Sequence, residues 1–377
     1  MPIKPSRKGA LEAGVTPRSP VRPPKRQLDQ DADDLRALVA KRTSAEAVPN
    51  YKTDRQHKIV STGFLSLDFA LGVNGFAEGR IHAIEGETGA GKTAVIAAAG
   101  IAAFQRKYPT SVHSFVDAEG TADIDFFNLL GVDTSPERLI IFRPDSAEEA
   151  LAISMLVMGY EINKNSYVLN PKLKPVCTNT YDSWAGSATD LVGMSPLARL
   201  GAEWWPRISG KARRVNTTVF AINQLREKPG VSFGDPRYGP GGKTFHFMQS
   251  TLLWATKTNV EKDEVTKMPV AHDLRLDIKK NKLAAPFHKI FLHLNYRTGF
   301  DRIVDAFTFL ETRGVSMKVT ADGNSYSFKY QAEGSQEEVT AKGRSAFLDA
   351  LRGDPWAGEA FIETARQLAQ EGIDGES

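Results

Sequence analysis

From residue 80 to residue 280 the apolar positions fall into short continuous runs separated by longer stretches with helical spacing. The runs at 80–85, 112–117, 139–143, 176–181, 217–223, 251–256 and 274–280 predict strands, and the stretches at 92–107, 124–131, 146–163 and 196–213 predict helices. Strands alternating with helices predict an α/β fold, a mostly parallel twisted sheet covered on both faces. From about residue 299 the pattern changes. Residues 300–313 read as a helix, 316–330 as a hairpin turning near Asp322-Gly323, and 341–352 and 355–371 as two helices, together a small C-terminal α+β domain. Upstream, 28–44 reads as a short polar helix with Leu35, Leu38 and Val39 on one side, and 45–60 as an extended connector. One run breaks the pattern. Val176-Cys177-Thr178-Asn179-Thr180-Tyr181 is far more polar than a central parallel strand should be, which predicts a less buried strand there.

Composition narrows the class. The chain has 377 residues, 41% hydrophobic and 25% charged, which fits a protein of about two domains. A net charge of +3 means that any affinity for nucleic acid must come from local patches. Residues 1–27 hold Lys4, Arg7, Lys8, Arg18, Arg22, Lys25 and Arg26 against Glu12, with many prolines and no apolar period, and are expected to be a disordered basic arm. No run has the apolar core of a signal peptide or the length of a membrane span, so a cytoplasmic protein is expected. The single cysteine, Cys177, excludes a disulfide framework and a cysteine-based zinc site.

The densest chemical signal is Gly86-Glu87-Thr88-Gly89-Ala90-Gly91-Lys92-Thr93, which fits G-x-x-x-x-G-K-[ST] between a predicted strand and a predicted helix. In such a loop the backbone N–H groups and the helix N-terminus cradle phosphates. Lys92 would reach the β/γ-phosphates and the Thr93 hydroxyl would ligate Mg²⁺, so ATP and Mg²⁺ are the expected ligands. Three further strand ends carry polar groups suited to a triphosphate. Glu119, after Val116-Asp117, could polarise an attacking water; Asp182 could hold Mg²⁺; and Gln224 could sense the γ-phosphate. Each alone reads more readily as a solvated loop residue. Their order after the phosphate loop favours the site.

Beyond Gln224 runs a loop that interleaves cations and aromatics on a backbone rich in Gly and Pro: Arg226, Lys228, Gly230, Val231, Phe233, Arg237, Tyr238, Gly241, Gly242 and Lys243. Charges that follow phosphates beside rings that stack on bases suit single-stranded nucleic acid. A nucleotide-gated DNA loop would sit in this position, directly after a γ-phosphate sensor.

Several segments in one order resemble the RecA recombinases of bacteria. They are the entry Ile59–Gly72 leading to Gly79-Arg80-Ile81 and the phosphate loop, then Phe115–Glu119, then Phe220–Gln224 with the loop after it, and finally Lys279-Lys280-Asn281-Lys282-Leu283-Ala284-Ala285-Pro286-Phe287. The similarity runs from about residue 58 to 335. It implies a RecA-type P-loop NTPase core at 59–298, an N-terminal helix and oligomerisation connector at 28–58, and a C-terminal domain at 299–377. It also implies a helical filament on single-stranded DNA that pairs with homologous double-stranded DNA, with ATP between neighbouring subunits. In that scheme Glu119 is the catalytic base, Asp123 and Phe126 contact adenine, and Lys280 and Lys282 act on the neighbour's nucleotide. A first DNA loop lies within 186–199 with Met194 at its tip, and a single-strand-binding protein or loader would assist. His246 stands where a further basic residue is expected, and the first loop is short. With the basic arm, these departures suggest a phage-encoded lineage. A hexameric RecA-fold helicase and a filament-forming mediator with little turnover are the alternatives.

Overall fold

In the computed structural model, nine strands form one sheet. They are β1 (Ile81–Gly86), β2 (His113–Asp117), β3 (Leu139–Phe142), β4 (Thr178–Asp182), β5 (Thr218–Gln224), β6 (Thr251–Lys262), β7 (Pro269–Asn281), β8 (Lys289–Asn295) and β9 (Gly299–Phe300). Their order across the sheet is β9-β8-β7-β6-β1-β5-β4-β2-β3. The six from β6 to β3 are parallel, and β7, β8 and β9 extend the sheet antiparallel. The chain divides into residues 1–57 and 58–377. In the first unit the described residues are the helical Asp34, Ala37 and Leu38; in the second they are 58–374 apart from 164–165, 190, 193–194, 228–236, 287, 316–317, 322–324 and 334–337.

β1 lies near the middle of the sheet and is buried along its whole length. Alternation along it sends Ile84 to one face and Ile81 and Ala83 to the other. The first face is covered by the helix at 92–107, whose middle turns, Ile96–Ala102, are π-helical. Gly100 lies there against the Phe220 ring, where a Cβ would come within 3.0 Å. Phe220 is met by Phe76 and Phe104 edge-on at 5.3 and 5.8 Å, a geometry worth about 0.5–1.5 kcal/mol per pair beyond burial. The second face is covered by the helices Ala147–Val157, Pro196–Val215 and Gly242–Met248, with Trp184, Trp205 and Phe245 packed together beneath them.

The polar strand β4 is fully buried between β5 and β2, against the expectation from its composition. Lateral pairing explains part of this. Thr178 Oγ1 meets His113 Nδ1 at 2.8 Å, His113 Nε2 meets Ser111 Oγ at 2.8 Å, Ser114 Oγ donates to Asn179 Oδ1 at 2.9 Å, and the Tyr181 and Ser187 hydroxyls pair at 2.8 Å. Burial and Arg138 hold His113 down at about 3, so its ring stays neutral and can relay between two hydroxyls. A buried polar group costs little once it is bonded.

The predicted helix at 146–163 is shorter in the structure, ending at Val157, and Tyr160–Asn163 pairs with Ser166–Leu169 as a hairpin. After β9 come the helix Arg302–Thr312, a three-stranded sheet of Lys318–Ala321, Ser325–Gln331 and Glu338–Lys342, and the helices Arg344–Gly353 and Pro355–Asp374. They share a separate apolar cluster built on Phe307, Phe328, Phe347 and Phe361, against which Leu65 and Phe69 of the helix Leu65–Leu71 also pack. No helix among the described residues is long and apolar enough to cross a membrane.

Candidate nucleotide site and DNA loop

The loop 86–93 leaves the carboxyl end of β1 with Gly89 and Gly91 at φ +71° and +83°, a region that side chains with a Cβ disfavour. Lys92 is 8% exposed, and its Nζ donates to Gly86 O at 3.1 Å and Glu87 O at 2.8 Å, inside the curl of the loop. Burial lowers its pKa, opposed by the carboxylates of Asp182, Glu119 and Glu87. One residue on, Thr93 Oγ1 donates to Asp182 Oδ2 at 2.7 Å. The two residues expected to share Mg²⁺ therefore meet across 89 positions of sequence. Burial pushes the Asp182 carboxyl up to about 6, with Glu119 adding to the rise and Thr93 and Lys92 opposing it.

The other strand-end groups converge on the same edge. Gln224 is level with Gly86 in the β1–β5 register, and its Nε2 donates to Glu119 Oε1 at 2.8 Å. Ser183, which the sequence reading did not assign, donates its hydroxyl to the same oxygen. Its one signal was its place beside Asp182. Gly186 closes over this pair, since a Cβ there would lie 2.8 Å from Glu119 Oε1. His272 and Lys257 were also missed. A Cβ on Gly91 would lie 3.5 Å from His272 Nε2, and one on Gly89 would lie 3.9 Å from Lys257 Nζ. The His272 Nδ1 meets Tyr296 OH at 2.9 Å. These groups reach the loop because the β6–β7–β8 ribbon folds back beside it, which no local motif signals.

The loop after Gln224 opens and closes as a short antiparallel stem, with Arg226 opposite Tyr238 and Glu227 opposite Arg237. Arg226 Nη2 donates to Ala185 O at 3.4 Å, the Arg237 guanidinium lies 5.2 Å from the Trp254 ring centre, and Tyr238 is exposed. Lys228, Gly230, Val231 and Phe233, like Met194 of the first loop, lie outside the described residues. Gly241 and Gly242 have a folding reason of their own. Their φ angles are +113° and +80°, and a Cβ on Gly241 would strike Trp184 Nε1 at 2.2 Å. Lys243 is exposed in the first turn of the next helix.

Asp123 caps the helix Ile124–Leu129, accepting from Phe126 N at 3.0 Å, and the Phe126 ring packs on the main core. Lys280 and Lys282 stand apart from the phosphate loop of their own chain. Lys280 is level with Leu252 and Ala83, about three residues or roughly 10 Å from Gly86 toward the amino ends of the parallel strands. There Lys280 Nζ donates to His246 O and Lys282 Nζ to Phe247 O, the latter at 2.7 Å. Partial burial and Lys282 bring Lys280 down to about 8.

A glycine-rich phosphate loop at the carboxyl edge of a largely parallel sheet, with a hydroxyl, two carboxylates and an amide around it, defines a P-loop nucleoside triphosphatase. Residues 37–301 match the RecA N-terminal domain. The chain is 32% identical over 351 residues to protein RecA of Mycoplasma mobile, covering 92% of this chain and 99% of that protein. It is 33% identical over 284 residues to protein RecA of Deinococcus radiodurans, covering 75% and 74%. Against protein RecA of Brucella canis the identity is 34% over 313 residues, covering 82% and 80%. A crystal structure of the RadB recombinase aligns with 64% of this chain and 98% of its own at a TM-score of 0.47 and 17% identity. The chain belongs to the RecA family, the DNA-dependent ATPases that carry out homologous strand exchange.

Proposed function

We propose that this protein is an ATP-dependent recombinase that assembles on single-stranded DNA, with ATP held between neighbouring subunits, and pairs that strand with homologous duplex. The observation that carries the proposal is the 2.8 Å hydrogen bond from Gln224 to Glu119, because Gln224 is also the root of the DNA loop. The donor set suits Mg²⁺·ATP: the Thr93 hydroxyl and Asp182 carboxylate are hard oxygen ligands 2.7 Å apart, beside the Lys92 ammonium. Bound Mg²⁺ would neutralise charge on the phosphoryl oxygens.

On this reading Lys92 turns from the carbonyls of Gly86 and Glu87 to the β/γ-phosphates. Glu119 orients the attacking water and accepts its proton. Gln224 leaves Glu119 for the γ-phosphate, which shifts the stem at Arg226 and Tyr238 and orders the loop against DNA. Phe233 and Tyr238 offer π-faces to bases, and Arg226, Lys228, Arg237 and Lys243 follow phosphates with little sequence preference. Asp123 and Phe126 flank the adenine. Lys280 and Lys282, turned away from their own loop, meet the neighbour's γ-phosphate as a positive clamp. Residues 59–298 form the ATPase core, 28–58 the oligomerisation connector, 1–27 a basic arm and 299–377 the C-terminal domain, in a cytoplasmic protein.

The test is a D-loop assay with homologous and heterologous duplex. The wild-type chain should pair only the homologous duplex and only with ATP, and Lys92→Ala should abolish pairing. Normal yield in Lys92→Ala would refute the site. Unwinding of a forked duplex without pairing would point to a helicase, and filaments without either activity to a mediator.

A further inference from the structure

Glu85 takes no part in the chemistry above, yet its side chain is 0% exposed. It stands at the carboxyl end of β1, directly before Gly86, whose carbonyl accepts Lys92 Nζ. Strand alternation points it away from the face that carries Ile84 and the helix at 92–107. On that far side both carboxylate oxygens are used. Asn223 Nδ2 donates to Oε1 at 3.2 Å, and Trp254 Nε1 donates to Oε2 at 3.1 Å. The same Asn223 nitrogen lies 2.9 Å from Pro240 O, and Asn223 immediately precedes Gln224. Gly239 rests on the carboxylate so closely that a Cβ there would fall 2.2 Å from Oε1. His246 spans the two, with Nε2 3.2 Å from Gly239 O and Nδ1 3.7 Å from Glu85 Oε1.

Burying a carboxylate is costly, and an apolar side chain would fill the same space at less cost. What Glu85 gains is a junction. It touches the phosphate-loop strand by its own backbone, the sensor strand through Asn223, and the exit stem of the DNA loop through Gly239. We propose that Glu85 is a positioning residue that registers the exit stem, residues 237–241, against the phosphate-loop strand. Seating of the loop on DNA is thereby transmitted to the triphosphate along a second route, besides Gln224. This inference rests on the reading of 225–241 as an ATP-gated DNA loop. For the stem to lift, the Gly239 backbone must leave the carboxylate and Asn223 must give up one of its two acceptors, so the junction has a seated and an unseated state.

The experiment measures the full chain's affinity for a fluorescent oligothymidylate with and without a non-hydrolysable ATP analogue; the ratio is the coupling factor. Glu85→Gln keeps the side-chain shape but offers one acceptor to two donors. It should lower the coupling factor roughly tenfold, within the range of measured allosteric couplings, while analogue affinity without DNA stays at the wild-type value. Gly239→Ala, which pushes the stem off the carboxylate from the other side, should give the same loss. Wild-type coupling in both variants would overturn the inference. So would a parallel fall in analogue affinity without DNA, because Glu85 would then merely support the phosphate loop. Lys92→Ala separates this inference from the reading beneath it. Coupling lost in Lys92→Ala but kept in Glu85→Gln removes only the role of Glu85. Coupling absent from the wild-type chain removes the ATP-gated loop itself, and the inference with it.

Discussion

Replacing Asp305 with alanine should loosen a helix that lies 240 residues away in sequence. Helix Leu65–Leu71 begins after Phe64, which has no side chain able to cap it. Its first N–H groups are met by Asp305, 3% exposed on the helix Arg302–Thr312, which accepts from Leu65 N at 2.7 Å, Ser66 N at 3.1 Å and the Ser66 hydroxyl. Losing a cap of this kind costs about 1–2 kcal/mol. Leaving the buried Ser66 hydroxyl without an acceptor adds about 1–3 kcal/mol. The cost of holding an ionised carboxylate in the interior offsets part of that sum, because burial pushes Asp305 up to about 6. The expected net loss is about 2 kcal/mol near pH 7.5. The sign with pH follows from the raised value. The folded state holds the proton more tightly than the unfolded one, so this contribution is present at low pH and disappears as pH rises through about 6. The destabilisation should therefore grow to about 3 kcal/mol near pH 5. Asp68, pushed up to about 7 chiefly by burial, is raised in part by the Asp305 charge, so the difference between the two curves reads Asp305 together with its effect on Asp68. Reversible urea unfolding at the two pH values reads it directly. A loss under about 0.5 kcal/mol, or one that grows toward neutral pH, would refute the reasoning.

Three further outcomes are expected. Glu119→Gln should retain single-strand binding but lose roughly 10²–10⁴-fold in DNA-stimulated phosphate release; turnover within tenfold of wild type would remove Glu119 as the base. Arg226→Ala with Phe233→Ala should leave nucleotide binding without DNA intact. It should weaken single-strand affinity by about 1–3 kcal/mol for the lost stack and flatten the salt slope by about 1, read by fluorescence titration across salt; unchanged affinity at fixed salt would refute the loop. If Lys280 and Lys282 act on the neighbour's nucleotide, Lys280→Ala/Lys282→Ala and Lys92→Ala should each be inactive alone. Mixed, they should recover turnover at about one interface in four; no recovery would place the lysines elsewhere.

Much of the core could be read from local pattern. Every strand of the parallel half except the polar β4 shows as an apolar run bounded by polar residues, and the phosphate loop announces itself because its glycines, lysine and threonine must lie within one short stretch to wrap one phosphate group. The antiparallel ribbon was harder to read. β6 and β7 run well past their apolar cores, with burial fading toward Lys262 and Pro269, and β8 alternates too briefly to stand out. The hairpin after Val157 reads as helix because Met158 and Ile162 continue the apolar spacing of the helix before it.

By itself the sequence determined the α/β order of elements and the residues that can hold a triphosphate, because periodicity and a contiguous motif are local properties. It also determined the family, through several motifs in one order. Tertiary structure alone decided the relations between groups far apart in the chain. It set Thr93 on Asp182 and Gln224 on Glu119, turned Lys280 and Lys282 away from their own site, and buried β4 with lateral partners for Thr178 and Asn179. It also put Glu85 under Gly239 and Asp305 at the head of a distant helix. The physical reason is the same in each case. Whether a polar side chain is solvated, paired or poised depends on what the fold brings within about 3 Å of it, and spacing along the chain does not encode that distance.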